Sequence, residues 1–262
     1  MCLFISGVIT PEKTYFSIDN DSHIAIREFF HITDDVRALR PINSANVELV
    51  PIDKNIFNLD PSNWQLSAEF QQEIPEWFTN SAREFVRQEM LLCLEQRAKR
   101  RFHINSKERV TIEEGIHYTL NSVVIAINHA EVHAYGDSKI YAKERSAVHA
   151  HDNSNVSGFD SAIIKAKDNS TVSLYDHSCC IEALDRVCIE ANSLSSAKVH
   201  SPEVTVRVDE YAVVRVCIHP ALAINFSNYQ IGTYGRPILD FIYQNKLFTK
   251  DEQLDKLRNN NE

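Results

Sequence analysis

The polar and apolar positions of this chain fall into a register of eight. From residue 131 one pattern runs six times in succession, as EVHAYGDS, KIYAKERS, AVHAHDNS, NVSGFDSA, IIKAKDNS and TVSLYDHS. Its second position is always β-branched (Val132, Ile140, Val148, Val156, Ile164, Val172), and its fourth is small or apolar (Ala134, Ala142, Ala150, Gly158, Ala166, Leu174). Apolar residues two apart make one face of a strand. The sixth position is Gly136, Glu144, Asp152, Asp160, Asp168 or Asp176, and the eighth is Ser or Ala throughout. Short polar side chains of this kind bond nearby backbone groups and mark turns, so each octad is a short strand and a tight corner.

Such a strand cannot stand alone, and a fixed period with one apolar face marks a solenoid whose coils bury one another. The chain is therefore expected to be mainly β, a parallel β-solenoid of eight-residue repeats. Val and Ala as inward residues leave a narrow interior, which favours two octads, or sixteen residues, per coil over a three-octad triangle. His117, His133 and His149 recur at the outward third position every sixteen residues, with Ile125, Tyr141 and Ser157 between them. Upstream, GIHYTLNS (115–122) and VVIAINHA (123–130) fit the frame with Ile116, Val124 and Ala126 inward. Downstream, CIEALDRV (180–187) and CIEANSLS (188–195) repeat each other but slip by one residue, as a bulge would produce. EVTVRVDEYAVVRVCI (203–218) alternates, so strands are expected to about residue 226.

The flanks carry other periods. In PEWFTNSAREFVRQEMLLCLEQRAKRRF (75–102), Val86, Met90, Cys93, Leu94 and Ala98 share a helical stripe and residues 97–101 place basic groups at its end, which predicts a capping helix. PILDFIYQNKLF, with Pro237 at a first helical position, and the capping-box pattern TKDE (249–252) predict a second helical cap. KTYFSI, HIAIREFFHI and ANVELVPI read as strands. The expected organisation is an acidic β-rich domain over 1–73, a capping helix over 74–103, the solenoid over 104–226 and a C-terminal helical cap over 227–262.

With 262 residues, 44% of them hydrophobic and 24% charged, the chain can bury a core and is not of disordered composition. Its apolar runs are shorter than a membrane span, and MCLFISGVITPEK lacks a basic start and a cleavage site, so neither a span nor a secretory signal is expected. Six cysteines without metal-ligand spacing predict free thiols in a reducing, cytoplasmic compartment. The net charge of −9 is uneven: residues 1–80 hold five Lys and Arg against twelve Asp and Glu, and residues 82–101 hold six against three. An acidic segment followed by a basic helix predicts internal complementarity or a basic protein partner, and argues against nucleic acid.

The tandem DNSxVxA-type octads, preceded by a Trp-containing acidic stretch and by IPEWF (Ile74 to Phe78), resemble the octapeptide-repeat proteins of bacteria and phages over roughly residues 74 to 200. Members of that group are mostly without assigned activity. The resemblance implies a β-solenoid in a bacterial or phage setting and carries no catalytic residue over; the irregular octads after Cys179 depart from the cleanest members.

The outward histidines are the sharpest chemical candidate. Coils stacked at about 4.8 Å would set His117, His133 and His149 in a ladder. A flat ladder does not close a tetrahedral shell and no carboxylate column flanks it, so a surface for partner contact is expected rather than a metal site. The Asp column invites comparison with calcium-binding β-rolls, but the GGxGxD context is missing and turn closure is the expected role. Glu182 and Glu190, one octad apart, are candidate paired acids of a β-helix polysaccharide hydrolase or lyase. A hexapeptide acyltransferase would have period six. GTYGRP (232–237) lacks the lysine of a phosphate loop, and RAKRR (97–101) reads as a solvated helix end.

The function expected from these readings is a non-enzymatic protein-binding module, an inhibitor or neutraliser such as a toxin immunity protein or a phage anti-defence factor. Partner-binding residues are expected to be His117, His133, His149 and Tyr141 on the solenoid, and Asp19, Asp21, Asp34 and Asp35 in the acidic domain. No cofactor is expected. The alternatives are the glycan enzyme and a self-assembling virion or scaffold component, for which a homo-oligomer is expected.

Overall fold

The computed structural model of the chain describes residues 5–19, 21–32, 44–68, 74–219, 222, 225–243 and 246–248. It divides into two units, Met1–Phe102 and His103–Glu262. In the first, β1 (Ile5–Ile9), β2 (Thr14–Phe16), β3 (Ala45–Pro51) and β4 (Trp64–Ala68) form an antiparallel sheet in the order β2-β1-β3-β4. Helices α1 (His23–Phe29) and α2 (Asn80–Arg101) pack on it. KTYFSI and ANVELVPI supply β2 and β3 as expected, whereas HIAIREFFHI forms α1 and not a strand. Ser22 decides this: its hydroxyl accepts from the Ala25 amide at 3.3 Å as an N-cap, and His23 and Ile26 bury one helical face while Ile24 and Phe29 stay exposed. The Ile24–Ile26 spacing that imitates a strand has only one buried member.

Helix α2 starts at Asn80, capped by Thr79, and buries the expected stripe of Val86, Met90, Cys93, Leu94 and Ala98. Arg97 lies in the same stripe, 2% exposed, and is held by Asp21 at 2.5 Å and by the Ser17 carbonyl at 2.8 Å. Arg101 pairs with Asp19 at 2.5 Å. The acidic and basic segments therefore complement each other within this unit.

Strand β5 (Phe102–Ile104) runs across the boundary into the second unit, which continues with β6 (Val110–Leu120) and the long β7 (Val123–Tyr135), then coils. One face is built from the first half of β7, β8 (Lys139–Ala142), β10 (Asn155–Gly158), β12 (Thr171–Leu174), β14 (Cys188–Ala191), β16 (Thr205–Glu210) and β18 (Tyr229–Gly235). The other takes the second half of β7, then β9 (Ala147–Ala150), β11 (Ile163–Ala166), β13 (Cys179–Ala183), β15 (Ser196–Val199), β17 (Val213–Val216) and β19 (Ile238–Tyr243), with β20 (Lys246–Phe248) antiparallel to β19. Consecutive strands of each face are parallel and sixteen residues apart where the octads are regular: Asn155 pairs with Lys139 and with Thr171, and Ile163 with Ala147. The inward second and fourth positions of all six octads are buried, at 3% exposure or less where they are apolar side chains, and form one core with their counterparts above and below.

The corners explain the sixth and eighth positions. Every residue at the sixth position has left-handed backbone, with φ between 55° and 62°. Where that residue is Glu or Asp, its carboxylate reaches to the preceding coil. Along one edge the amide of Asn128 donates to Glu144 Oε2 at 2.9 Å and that of Glu144 to Asp160 Oδ2 at 3.1 Å; along the other the amides of Gly136, Asp152 and Asp168 donate to Asp152, Asp168 and Asp185 Oδ2 at 2.9, 3.1 and 3.1 Å. The aspartate carboxylates thus tie the corners of successive coils together, where closure of their own turn was expected. Eighth-position serines point inward; Ser138, Ser170 and Ser178 donate to the carbonyl three residues back at 2.7 to 2.8 Å.

One expectation is met and two change. The slip near Cys179 is the expected bulge, placing Lys165 beside Glu182 and setting the next coils at seventeen residues, as in Thr171 with Cys188 and Ser196 with Val213. A second bulge between Ile112 and Glu114 shortens the first coil, so Tyr118 and not His117 pairs with His133, and Ile116 is half-buried. The segment from Pro237 is strand, not helix: Ile238 continues the parallel ladder from Val213, because the open edge of β17 offers backbone partners that outweigh local helix preference. The TKDE pattern lies outside the described residues.

Candidate functional site

Strands β7, β9 and β11 place three columns of side chains on one outer face. The central column reads Tyr118, His133, His149, Lys165. The His133 and His149 rings stack at 4.4 Å and 11°, and Tyr118 covers the other side of His133 at 5.1 Å. Beside them Tyr135 stacks on His151 at 4.5 Å and 3°. Glu131, two residues before His133 and hence on the same face, lies with Oε1 3.1 Å from His133 Nε2 and 3.5 Å from His149 Nε2. Burial, reinforced by the neighbouring His133, pushes His149 down to about 4 despite the attraction of Glu131. Burial and the nearby Lys167 push His151 down to about 4 as well. The hydrogen bond with His133 holds the Glu131 carboxyl below its usual range.

His117 stands apart from this column. It is buried, its Nδ1 is 2.9 Å from His103 Nε2, and its Nε2 is 3.2 Å from the Glu114 carbonyl. The residue that completes the cluster, Glu131, escapes a search for repeating columns because Ala147 and Ile163 follow it at the same position. The readable signal is local: in EVH, first and third residues of one strand share a face.

The opposite face carries a groove of about 400 Å³ lined by Arg109, Ile125, Tyr141, Lys143, Phe159, Asp160 and Asp176. The Arg109 guanidinium sits 5.6 Å over the Tyr141 ring, and Phe159 stacks on Tyr175 at 5.1 Å. Tyr141 therefore belongs to a different surface from the histidines. Glu182 and Glu190 are also separated: Glu182 lies in the Lys165 column of β13, and Glu190 on β14 between Ser173 and Arg207. Facing sheets are about 10 Å apart and these side chains point away from each other, whereas glycosidase carboxylates stand at most about 9.5 Å apart. They do not form an acid–base pair.

In the first unit Asp19 and Asp21 are engaged by Arg101 and Arg97, while Asp34 and Asp35 lie outside the described residues. Among the described cysteines Cys93 and Cys180 are buried, their thiols pushed up to about 11 and about 12 by that burial. Among the described residues no helix is long and apolar enough to cross a membrane. Comparison of the chain with protein-family models, curated proteins and solved structures finds no match.

Proposed function

We propose that the protein is a non-enzymatic protein-binding module, an inhibitor or neutraliser in a bacterial or phage setting, whose rigid solenoid presents the Tyr141–Phe159 groove to its partner. The observation that carries this reading is the groove itself. Tyr, Phe and Arg supply large contact areas at little entropic cost and dominate binding energy at interfaces, and here Arg109, Tyr141 and Phe159 sit together between Lys143 and two carboxylates. Asp19 and Asp21, being neutralised within their own unit, contribute less than their charge suggests. The test is capture by the tagged chain from bacterial or phage-infected lysate, alongside the Tyr141→Ala/Phe159→Ala variant. One stoichiometric protein bound by the wild type and weakened by about 2 kcal/mol or more, some thirtyfold, in the variant supports the reading. Equal retention by both chains, or none by either, overturns it.

The same aromatic groove favours one second reading, an acidic-glycan hydrolase or lyase. Glu182 and Glu190 being apart, the acids that line the groove are Asp160 and Asp176, whose Oδ2 atoms receive the amides of Glu144 and Asp160 at 3.1 and 3.4 Å. Turnover of an acidic polysaccharide that Asp160→Asn abolishes would establish it.

A further inference from the structure

We propose that Glu131, His133 and His149 form a binding site for a divalent first-row transition metal ion, Zn2+ being the reference case. The inference is independent of the partner-binding reading, since the cluster lies on the face away from the groove. Three donor atoms converge: both Nε2 atoms face the same Oε1 at 3.1 and 3.5 Å, and all three lie within 4.8 Å of one another. An ion with bonds of about 2.0–2.2 Å needs donors roughly 3 to 3.5 Å apart, so both carboxylate–imidazole spacings already fit, and binding requires the two rings to tilt out of their 11° stack so that their nitrogens converge.

The chemistry of the set selects the ion. Two imidazole nitrogens with one carboxylate oxygen suit Zn2+, Cu2+, Ni2+ and Co2+, whereas Ca2+ and Mg2+ want oxygen shells. The scaffold holds the ligands in place: His133 and His149 occupy paired positions of adjacent parallel strands, and Tyr118 backs the His133 ring. Side-chain exposures of 37% for Glu131, 22% for His133 and 28% for His149 leave one side of the site open to water, so a bound ion keeps free coordination positions. The neighbouring pair His103 and His117 differs, because its facing nitrogens are directed at each other and at a carbonyl. Lys165, next in the column after His149, places a positive charge against the ion.

The test uses the full chain, stripped with chelator and titrated calorimetrically with Zn2+ at neutral pH, and Co2+ as an optical probe. One equivalent is expected, with Co2+ bands of nitrogen and oxygen ligation and no sulfur charge-transfer band. Glu131→Gln, His133→Gln and His149→Gln should each weaken binding by about tenfold or more. His103→Gln should leave it unchanged, and Lys165→Gln should tighten it. For the wild type, Zn2+ should shift the imidazole nitrogen resonances of His133 and His149 and leave those of His103 in place, a readout that needs no variant to fold. No binding, a sulfur charge-transfer band, or affinity within twofold of wild type in the folded His133→Gln/His149→Gln chain would overturn the proposal.

Discussion

Replacing Asp168 separates the two jobs of the corner aspartate. Its backbone is left-handed at φ 62°, and its Oδ2 accepts the Asp152 amide of the preceding coil at 3.1 Å. Alanine loses both: left-handed backbone costs an ordinary residue about 1 kcal/mol, and the exposed hydrogen bond contributes up to about 1 kcal/mol more, so Asp168→Ala should destabilise by ~2 kcal/mol. Glycine adopts the conformation freely but still loses the bond and gains unfolded-state freedom, which leaves ~1 kcal/mol. Asparagine tolerates the left-handed region and keeps an acceptor, so Asp168→Asn should lie within ~0.5 kcal/mol of wild type. Repeat arrays need not unfold as one cooperative unit, so hydrogen exchange of single amides by NMR is the decisive assay, supported by denaturant melts. In Asp168→Ala the Asp152 amide should exchange about thirtyfold faster, while the Glu144 amide, held at 3.1 Å by Asp160 on the other edge, should be unaffected. Equal acceleration at both amides would refute the ladder, and a Gly variant as damaged as the Ala variant would refute the backbone argument.

Other outcomes follow from named contacts. Arg97→Ala should cost the N-terminal unit about 3 kcal/mol in urea melts, because it strands Asp21 beside a 2%-exposed site; adding Asp21→Ala should cost less than the sum of the two. Chelator-treated protein should lose stability on acidification. His149, facing Glu131, His133 and Lys165, and His151, facing Tyr135, Lys167 and Asp168, are held down to about 4. The unfolded chain therefore takes up protons that the folded chain refuses: the contribution is intact above the unfolded value near 6.5 and is lost as pH falls towards 4, at ~1 kcal/mol per unit for each histidine. A melting temperature flat between neutral pH and about pH 5 would contradict this. A Cβ on Gly158 would stand 2.7 Å from Ile164 Cδ1, so Gly158→Ala should cost about 1 kcal/mol, with much of that cost absent once Ile164→Val removes the methyl. Additive costs in the double variant would show that the two sites do not touch.

What could be read from the sequence divides by the side of the strand a residue occupies. Inward positions obey one steric rule coil after coil, so Val132 through Leu174 announce their burial and the sixteen-residue turn follows from them. Even the slip at Cys179 shows, because it shifts an apolar pattern. The bulge between Ile112 and Glu114 shifts a stretch whose inward residues include His117 and Thr119, which no apolar pattern marks, and the histidine column is consequently misread by one residue there. Local signals fail where tertiary partners compete, as when β17 recruits Ile238 into a strand. Outward residues answer to no packing rule, and the ones that converge need not repeat: Glu131 and Arg109 each stand beside their partners once. On a solenoid the repeat builds the frame, and chemistry is found in the single outward residue that departs from its column. Substituting Glu131, with Ala147 and Ile163 below it, should for that reason leave the fold intact while removing the carboxylate from the cluster.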